Sequence, residues 1–166
     1  MGVHQHRKAA MDSVRTGIVT VSTTRTIEND ESGHWMAKRA GKEGHAVRFH
    51  QVVADDMAAI RETVLKAIRD HDLQALIVTG GTGMTPADVT IEAIRPLFAK
   101  EMTAFGAIFA QLSYETIDSA AILSRATAGV IGRTVVYCIP GSKKACQLAC
   151  KALIFPELGH VVGHVQ

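Results

Sequence analysis

The sequence predicts one domain, a three-layer α/β/α sandwich around a mainly parallel sheet. Short apolar, β-branched runs alternate with helical patterns along the chain, and polar or glycine-rich loops follow those runs. A chain of 166 residues with 47% hydrophobic and 20% charged residues is able to bury such a core. We assign residues 14–166 to this domain. Residues 1–13 are polar, without the apolar stretch of a signal peptide, and are predicted to be a flexible leader.

The first half of the chain is predicted to hold three strands and two helices. Strands are expected at 15–21, 45–53 and 75–78, the last being a continuous apolar run typical of a buried parallel strand. A helix is expected at 32–42 with Ser32 as its N-cap. A second helix is expected at 57–69, where apolar residues recur at helical spacing: Ile60, Val64, Leu65 and Ile68.

The second half is predicted to contain four helices and one further strand. The strand, at 134–139, runs into Pro140-Gly141-Ser142. Helices are expected at 89–98, 101–112, 118–128 and 143–154. Proline disrupts helix interiors, so the first of these should weaken near Pro96 and the last should end before Pro156.

Composition excludes two classes of function and indicates a compartment. A net charge of +2 and an aromatic content of 5% provide neither the basic surface nor the stacking platforms of nucleic-acid binding. No apolar run approaches the roughly 18 residues that a membrane-spanning helix needs. Cys138, Cys146 and Cys150 are predicted to be buried, reduced thiols of a cytoplasmic protein.

The segment Thr79-Gly80-Gly81-Thr82-Gly83 is predicted to bind phosphate. It follows a strand-like run, and three glycines in four residues let backbone N–H groups approach an anion closely. It matches neither common nucleotide motif. Met84 stands where a P-loop needs lysine, and no glycine follows at the dinucleotide spacing.

Polar segments follow four predicted strands and are expected to converge, because ligands of open α/β sheets bind beyond the carboxyl ends of the strands. These segments are 22–30, Asp55-Asp56, 79–88 and 140–143. Asp55 and Asp88 together suit Mg²⁺ held against phosphate oxygens.

Local structural roles explain several of these polar residues equally well. Either Asp55 or Asp56 would cap a helix, and Asp88 would complete a capping box with Thr85 and Pro86. Three serines have similar alternatives, Ser142 as a helix cap and Ser113 and Ser124 as structural polar groups in apolar surroundings.

Several ordered motifs resemble the MoaB/Mog family of molybdenum cofactor biosynthesis. They are the glycine segment with Asp88-Val89-Thr90, Asp55, the 28–33 loop, Leu123-Ser124-Arg125 and Pro140-Gly141-Ser142. Residues 105–115 are similar to the MoaB branch in particular, and the resemblance runs from about Val14 to Leu158.

The resemblance implies a MoaB/Mog-like fold and a molybdopterin adenylyltransferase, which transfers AMP from Mg-ATP to molybdopterin and releases pyrophosphate. Asp55 and Asp88 would be the catalytic carboxylates and Mg²⁺ ligands. Substrate and nucleotide contacts would come from Thr79, Gly80, Gly81, Thr82, Gly83, Ser113, Ser124, Pro140, Gly141 and Ser142. A homo-oligomer, trimer or hexamer, is implied, with a downstream molybdenum-insertion protein as a further partner. The alternative is a non-catalytic carrier or scaffold that binds molybdopterin.

Overall fold

A computed structural model describes residues 10–166. Within them, one sheet has the strand order β2-β1-β3-β6-β5-β4. Its strands are β1 (Arg15–Val21), β2 (Ala46–Val53), β3 (Ala75–Thr79), β4 (Lys100–Glu101), β5 (Thr127–Ile131) and β6 (Thr134–Ile139). The first nine residues of the predicted leader lie outside the described residues. Of its remaining four, Met11 donates its backbone N–H to the Gly159 carbonyl at 3.0 Å.

The sheet is mainly parallel, as predicted. Parallel pairing joins β2 to β1, β1 to β3 and β3 to β6, whereas β5 runs antiparallel to both β6 and β4. The turn between β5 and β6 contains Gly132 at φ +60°, a left-handed conformation that glycine adopts without a steric penalty.

Helices cover both faces of the sheet and confirm the three-layer sandwich. They are α1 (Glu31–Lys42), α2 (Met57–His71), α3 (Thr90–Ile94), α4 (Thr103–Ile117), α5 (Lys143–Ala149) and α6 (Phe155–Val165). Helices α1, α4, α5 and α6 pack on one face with Ile18 and Ile77, and α2 and α3 pack on the other with Val19 and Val78. No helix in residues 10–166 has the length and apolar character needed to cross a membrane.

The helix predicted at 118–128 is wrong, because this segment is a 3-10 turn (Asp118–Leu123) followed by β5. The alanine-rich composition favours a helix locally, but pairing with β6 outweighs that propensity. Gly129 allows the strand to form here, since the Phe98 ring lies 2.4 Å from where a Cβ on this glycine would stand. The helix predicted at 101–112 in fact starts at Thr103 and reaches Ile117.

The two helices predicted to be limited by proline differ from each other. Around Pro96, α3 gives way to a 3-10 turn (Arg95–Leu97), in line with the predicted weakening. The last helix was predicted to end at 154, but it continues through a π-helical turn (Cys150–Ile154) into α6, which contains Pro156. A proline ring clashes with the carbonyl four residues earlier, and the wider π turn at that point makes room for it.

Asp30, rather than the predicted Ser32, is the N-cap of α1, and its buried side chain ties together three elements. Its Oδ1 accepts a hydrogen bond from the Gly33 N–H at 3.0 Å. Its Oδ2 accepts from the Thr20 hydroxyl of β1 at 2.6 Å and from His50 Nε2 of β2 at 2.8 Å. Burial alone would raise the pKa of this carboxyl, but the hydrogen bonds from His50, Thr20 and Gly33 outweigh it and lower the pKa to about 2.

We expect Asp30→Asn to destabilise the protein by about 2 kcal/mol at pH 7, because an amide has only one acceptor oxygen and in either orientation its nitrogen would face a hydrogen-bond donor. The folded pKa of Asp30 lies below its usual 3.8. The stabilisation from its charge is therefore complete above that value and is lost as pH falls toward 2. In urea unfolding, the difference in the free energy of unfolding between wild type and variant should be smaller by about 1 kcal/mol at pH 3 than at pH 7. A difference that stays constant with pH would contradict this assignment, and the exposed Asp70→Asn variant serves as control.

Candidate functional site

The candidate site lies where the chain changes direction across the sheet. The loop after β1 leads to α1 on one face, and the loop after β3 leads to α3 on the other. Because the two loops diverge, a crevice opens beyond the carboxyl ends of these neighbouring strands. A cavity of about 340 Å³ occupies this crevice, and its lining includes Val21, Ser22, Thr24, Arg25, Leu123 and Arg125.

Eight of the twelve predicted site residues also line this cavity. They are Gly80, Gly81, Thr82, Gly83, Asp88, Ser124, Pro140 and Gly141. The structure therefore brings together segments that are far apart in sequence, from the ends of β3 and β6 and from the loop before β5. The other four, Asp55, Thr79, Ser113 and Ser142, lie outside the lining.

The glycine segment is held by close backbone contacts. Gly80 has φ +93°, and a Cβ on it would stand 2.3 Å from the Val21 carbonyl oxygen. The buried Thr90 secures the loop from the protein side. Its hydroxyl donates to the Gly80 carbonyl at 2.7 Å, and its N–H donates to the Gly81 carbonyl at 2.9 Å. No residue with a side chain fits at Gly80 without moving β1.

Arg125 secures the other half of the glycine segment. Its Nε donates to the carbonyls of Thr82 and Gly83 at 2.9 and 3.1 Å. Its two remaining nitrogens donate to the Glu92 carboxylate at 2.6 and 3.3 Å, and this pairing raises the arginine pKa above its usual value. All four carbonyls of 80–83 thus accept hydrogen bonds from the protein, which favours anion binding because carbonyl oxygens repel phosphate.

Asp55 and Asp56, which the sequence could not tell apart, have different roles. Asp56 is the N-cap of α2 and accepts from the Ala59 N–H at 2.8 Å. Asp55 instead accepts from the N–H and hydroxyl of Thr23 at 2.7 and 2.8 Å, both through Oδ2. Its Oδ1 lies 3.2 Å from where a Cβ on Gly81 would stand. Asp55 is therefore the member of the pair that contacts the glycine segment.

Asp88 belongs to a turn and lines the cavity. Its Oδ2 accepts from the Thr85 N–H and hydroxyl at 2.9 and 2.7 Å. The Thr85 hydroxyl lowers the pKa of Asp88 against the effect of partial burial, with further help from the Gly83 N–H and Arg125. The capping box proposed for Thr85 and Pro86 is wrong, because α3 begins only at Thr90. An ionised carboxylate therefore stands beside the glycine segment.

The loop after β6 forms the facing wall. Gly141 approaches the glycine segment so closely that a Cβ on it would stand 3.0 Å from the Gly80 Cα. Its carbonyl accepts from Ser32 Oγ at 3.1 Å and from Arg25 Nη1 at 3.3 Å. Ser142 caps α5 by accepting from the Ala145 N–H at 3.2 Å, which confirms the structural alternative for this serine.

Two further predicted positions, Thr79 and Ser113, belong to the framework around the cavity. The Thr79 hydroxyl is buried and donates to the Pro140 carbonyl at 3.0 Å, so it joins the loops after β3 and β6. Ser113 is buried on α4. The three cysteines are free and buried as predicted, and burial raises the pKa of the Cys146 thiol, which lies 3.1 Å from Thr79 Oγ1.

Arg25 is a cavity residue that sequence reasoning missed. Its guanidinium lines the cavity and also a second one of about 590 Å³ that extends along β2. The only signal in the sequence was its position in the polar loop after β1. A cationic side chain at this position is able to attract a phosphate group, although the glycine segment itself lacks the lysine of a P-loop.

A bound Mg²⁺ would depend on substrate as well as on protein. No group of three or more His, Cys, Asp or Glu side chains in residues 10–166 is placed to hold a metal ion. Asp55 and Asp88 each present a carboxylate at the glycine segment, and Mg²⁺ is typically held by one or two carboxylates together with phosphate oxygens and water. The oxygen donors therefore fit this ion.

Comparisons with known proteins agree on one family. Residues 17–160 match the family described as "Probable molybdopterin binding domain". Molybdenum cofactor biosynthesis protein B of Bacillus subtilis (strain 168) is 48% identical, over 100% of this chain and 98% of that one. A crystal structure of molybdenum cofactor biosynthesis protein B has a TM-score of 0.89 and 45% identity, covering 92% of this chain and 96% of that one. A crystal structure of the tungsten cofactor synthesizing protein MoaB from Pyrococcus furiosus has a TM-score of 0.84 and 34% identity, and the match covers 94% of this chain and 99% of that one.

The close approach of β1 to the glycine segment predicts a large effect of Gly80→Ala. Gly132→Ala is a matched control, because Gly132 also has a positive φ but no atom lies within 4 Å of a Cβ placed there. We expect Gly132→Ala to cost about 1 kcal/mol in chemical denaturation, the strain of the left-handed backbone alone. Gly80→Ala should cost at least about 3 kcal/mol, since the backbone contact with Val21 adds to that strain. If the two variants lose equal amounts of unfolding free energy, the backbone contact with Val21 is not the cause of the destabilisation.

Proposed function

The chain belongs to the MoaB/Mog family of molybdenum cofactor biosynthesis proteins, and from this premise we propose that it adenylylates molybdopterin. Molybdenum cofactor biosynthesis and molybdopterin binding follow from membership of the family. The proposal adds the reaction, in which AMP passes from Mg-ATP to the terminal phosphate of molybdopterin. The observation that carries it is the glycine segment with both Asp55 and Asp88 against it, beside a cavity that also holds Arg25.

The proposed reaction is a nucleotidyl transfer between two bound substrates. A phosphate oxygen of molybdopterin forms a bond to the α-phosphorus of ATP. The bond from that phosphorus to the oxygen bridging to the β-phosphate breaks, and pyrophosphate leaves with the electron pair. This chemistry needs positioning and charge stabilisation rather than a protein nucleophile. The cavity is suited to it, because it offers backbone, cationic and carboxylate groups.

Arg125 and Arg25 are proposed to have different roles in binding phosphate. Arg125 is committed to the carbonyls of Thr82 and Gly83 and to Glu92, so we assign it the role of shaping the glycine segment. Arg25 donates one Nη1 bond, at 3.3 Å, to the Gly141 carbonyl and borders both adjoining cavities. We therefore assign Arg25 to direct contact with a substrate phosphate.

Asp55 and Asp88 are proposed to hold Mg²⁺ together with the triphosphate. Thr23 and Thr85 fix the two carboxylates in place through paired N–H and hydroxyl donors. When bound, Mg²⁺ would neutralise charge on the triphosphate and on the departing pyrophosphate. Both threonines orient the carboxylates before substrate binds, which lowers the reorganisation needed for catalysis.

A homo-oligomer, trimer or hexamer, is part of the proposal, and an apolar surface beside the cavity supports it. Ile122 and Leu123 are 86% and 61% exposed, and Leu123 lines the cavity. Exposed apolar side chains on α4 extend this surface, namely Ile108, Tyr114 and Ile117. Monomeric proteins seldom expose large contiguous apolar patches, so association of copies through this surface is the favoured arrangement. We further propose a cytoplasmic location, supported by the three free thiols, and delivery of the product to a molybdenum-insertion protein.

We expect Asp88→Asn and Asp55→Asn each to reduce AMP transfer at least about a hundredfold, because each removes a charge from the Mg²⁺ site. The assay measures pyrophosphate released from Mg-ATP in the presence of molybdopterin. Asp56→Asn is the matched control: it is the adjacent aspartate, it only caps α2, and asparagine caps helices equally well. Its turnover should equal that of the wild type.

The same assay separates the enzyme from a carrier. Wild-type protein that binds molybdopterin without nucleotide and releases no pyrophosphate would favour the carrier or scaffold. Full turnover by Asp88→Asn would instead show that the carboxylate has no part in the reaction.

A charge placed in the apolar surface should break the assembly. We expect the double variant Ile117→Glu, Ile122→Glu to sediment as a smaller species than the wild type, since buried unpaired carboxylates are strongly disfavoured. Leu65→Glu on α2 is the control, because Leu65 is also exposed, at 41%, but lies on the opposite layer. If the double variant and the wild type sediment alike as oligomers, the surface is not the interface.

A further inference from the structure

The outward side of α6 carries a pair of histidines that does not line the cavity of the candidate site. His160 and His164 are four residues apart and so share one side of the helix. Their Nε2 atoms lie 3.0 Å apart, and their ring centroids are separated by 4.7 Å. The two Nε2 atoms therefore lie next to each other, at hydrogen-bond distance.

Glu157, one turn earlier, determines which nitrogen of His160 carries the proton. The distance from His160 Nδ1 to Glu157 Oε2 is 3.0 Å. A carboxylate only accepts, so Nδ1 is the protonated nitrogen, and Nε2 of the neutral ring presents its lone pair toward His164. A carboxylate behind a histidine whose other nitrogen is directed outward is the arrangement that orients metal-binding histidines.

The separation of the two nitrogens indicates which metals fit. With nitrogen–metal bonds of about 2.0–2.1 Å, nitrogens 3.0 Å apart subtend an angle of about 95° at the metal. This matches neighbouring positions of a square-planar or octahedral centre rather than a tetrahedral one. No group of three or more potential ligands converges in residues 10–166, so these two histidines are the ligands that this part of the chain supplies.

We propose that His160 and His164 form a binding site for a divalent late transition metal, Cu²⁺ or Ni²⁺, oriented by Glu157. When the metal binds, the proton that His164 Nε2 donates to His160 moves to Nδ1 of His164, so that both Nε2 lone pairs are available to the metal. The site is independent of the adenylylation proposed above, and its test does not depend on catalysis.

The test is calorimetric titration of the whole chain with Ni²⁺. All samples carry His4→Ala and His6→Ala, which removes the two imidazoles outside the described residues from competition. We expect one saturable site that is weakened at least about tenfold by either His160→Ala or His164→Ala. Glu157→Gln should weaken binding about tenfold, the usual effect of losing the partner of a metal-bound histidine.

Two controls make the result decisive. His71→Ala removes an exposed histidine on α2 and should leave Ni²⁺ affinity unchanged. Ni²⁺ should also raise the Tm of the parent protein but not the Tm of the His164→Ala variant. Because His164 is exposed, misfolding of this variant would not explain a loss of Ni²⁺ binding. The proposal is overturned if no saturable binding occurs, if both histidine variants bind like the parent, or if Zn²⁺ binds more tightly than Ni²⁺.

Discussion

Direct contact between backbones at the ends of three parallel strands is the constraint on which the site depends. Gly80 donates its N–H to the Ile139 carbonyl at 3.0 Å, and its Cα faces the Val21 carbonyl on one side and Gly141 on the other. A single Cβ at Gly80 would separate β1 from β3. Because the strands meet without side chains between them, the loops after β1, β3 and β6 are close enough to form one cavity.

The hydrogen bonds around this contact arrange charge as well as shape. Thr90 and Arg125 engage the carbonyls of 80–83, so the negative ends of these peptides are directed into the protein. Arg125 is in turn held by Glu92, which keeps its guanidinium beside the glycine segment rather than in solvent. The cavity surface therefore combines cationic character with the carboxylate of Asp88, and the carboxylate of Asp55 lies outside the lining but close to Gly81.

Periodicity and glycine spacing predicted the layers, most strands and the glycine segment, because these depend on local sequence. The predictions failed where distant residues decide the outcome. Thr127 and its neighbours form β5 because β6 lies beside them, and Asp30 displaces Ser32 as a cap because Thr20 and His50 surround it. The predicted convergence of segments 22–30 and 140–143 did not single out Arg25, since nothing local shows which residue of the first loop contacts Gly141.

The adjacent residues Asp55 and Asp56 have different structural roles, although both are aspartates. Asp56 is at the N-cap position, where its side chain accepts a hydrogen bond from a free N–H group of α2. Its charge therefore stabilises the helix. Asp55, one residue earlier, is turned by Thr23 toward Gly81. Thr85 positions Asp88 through the same pair of N–H and hydroxyl bonds. Thr85 precedes Asp88 by three residues in one loop, whereas Thr23 and Asp55 belong to different loops. Two unrelated local geometries thus place a carboxylate on the same glycine segment, and capping accounts for neither.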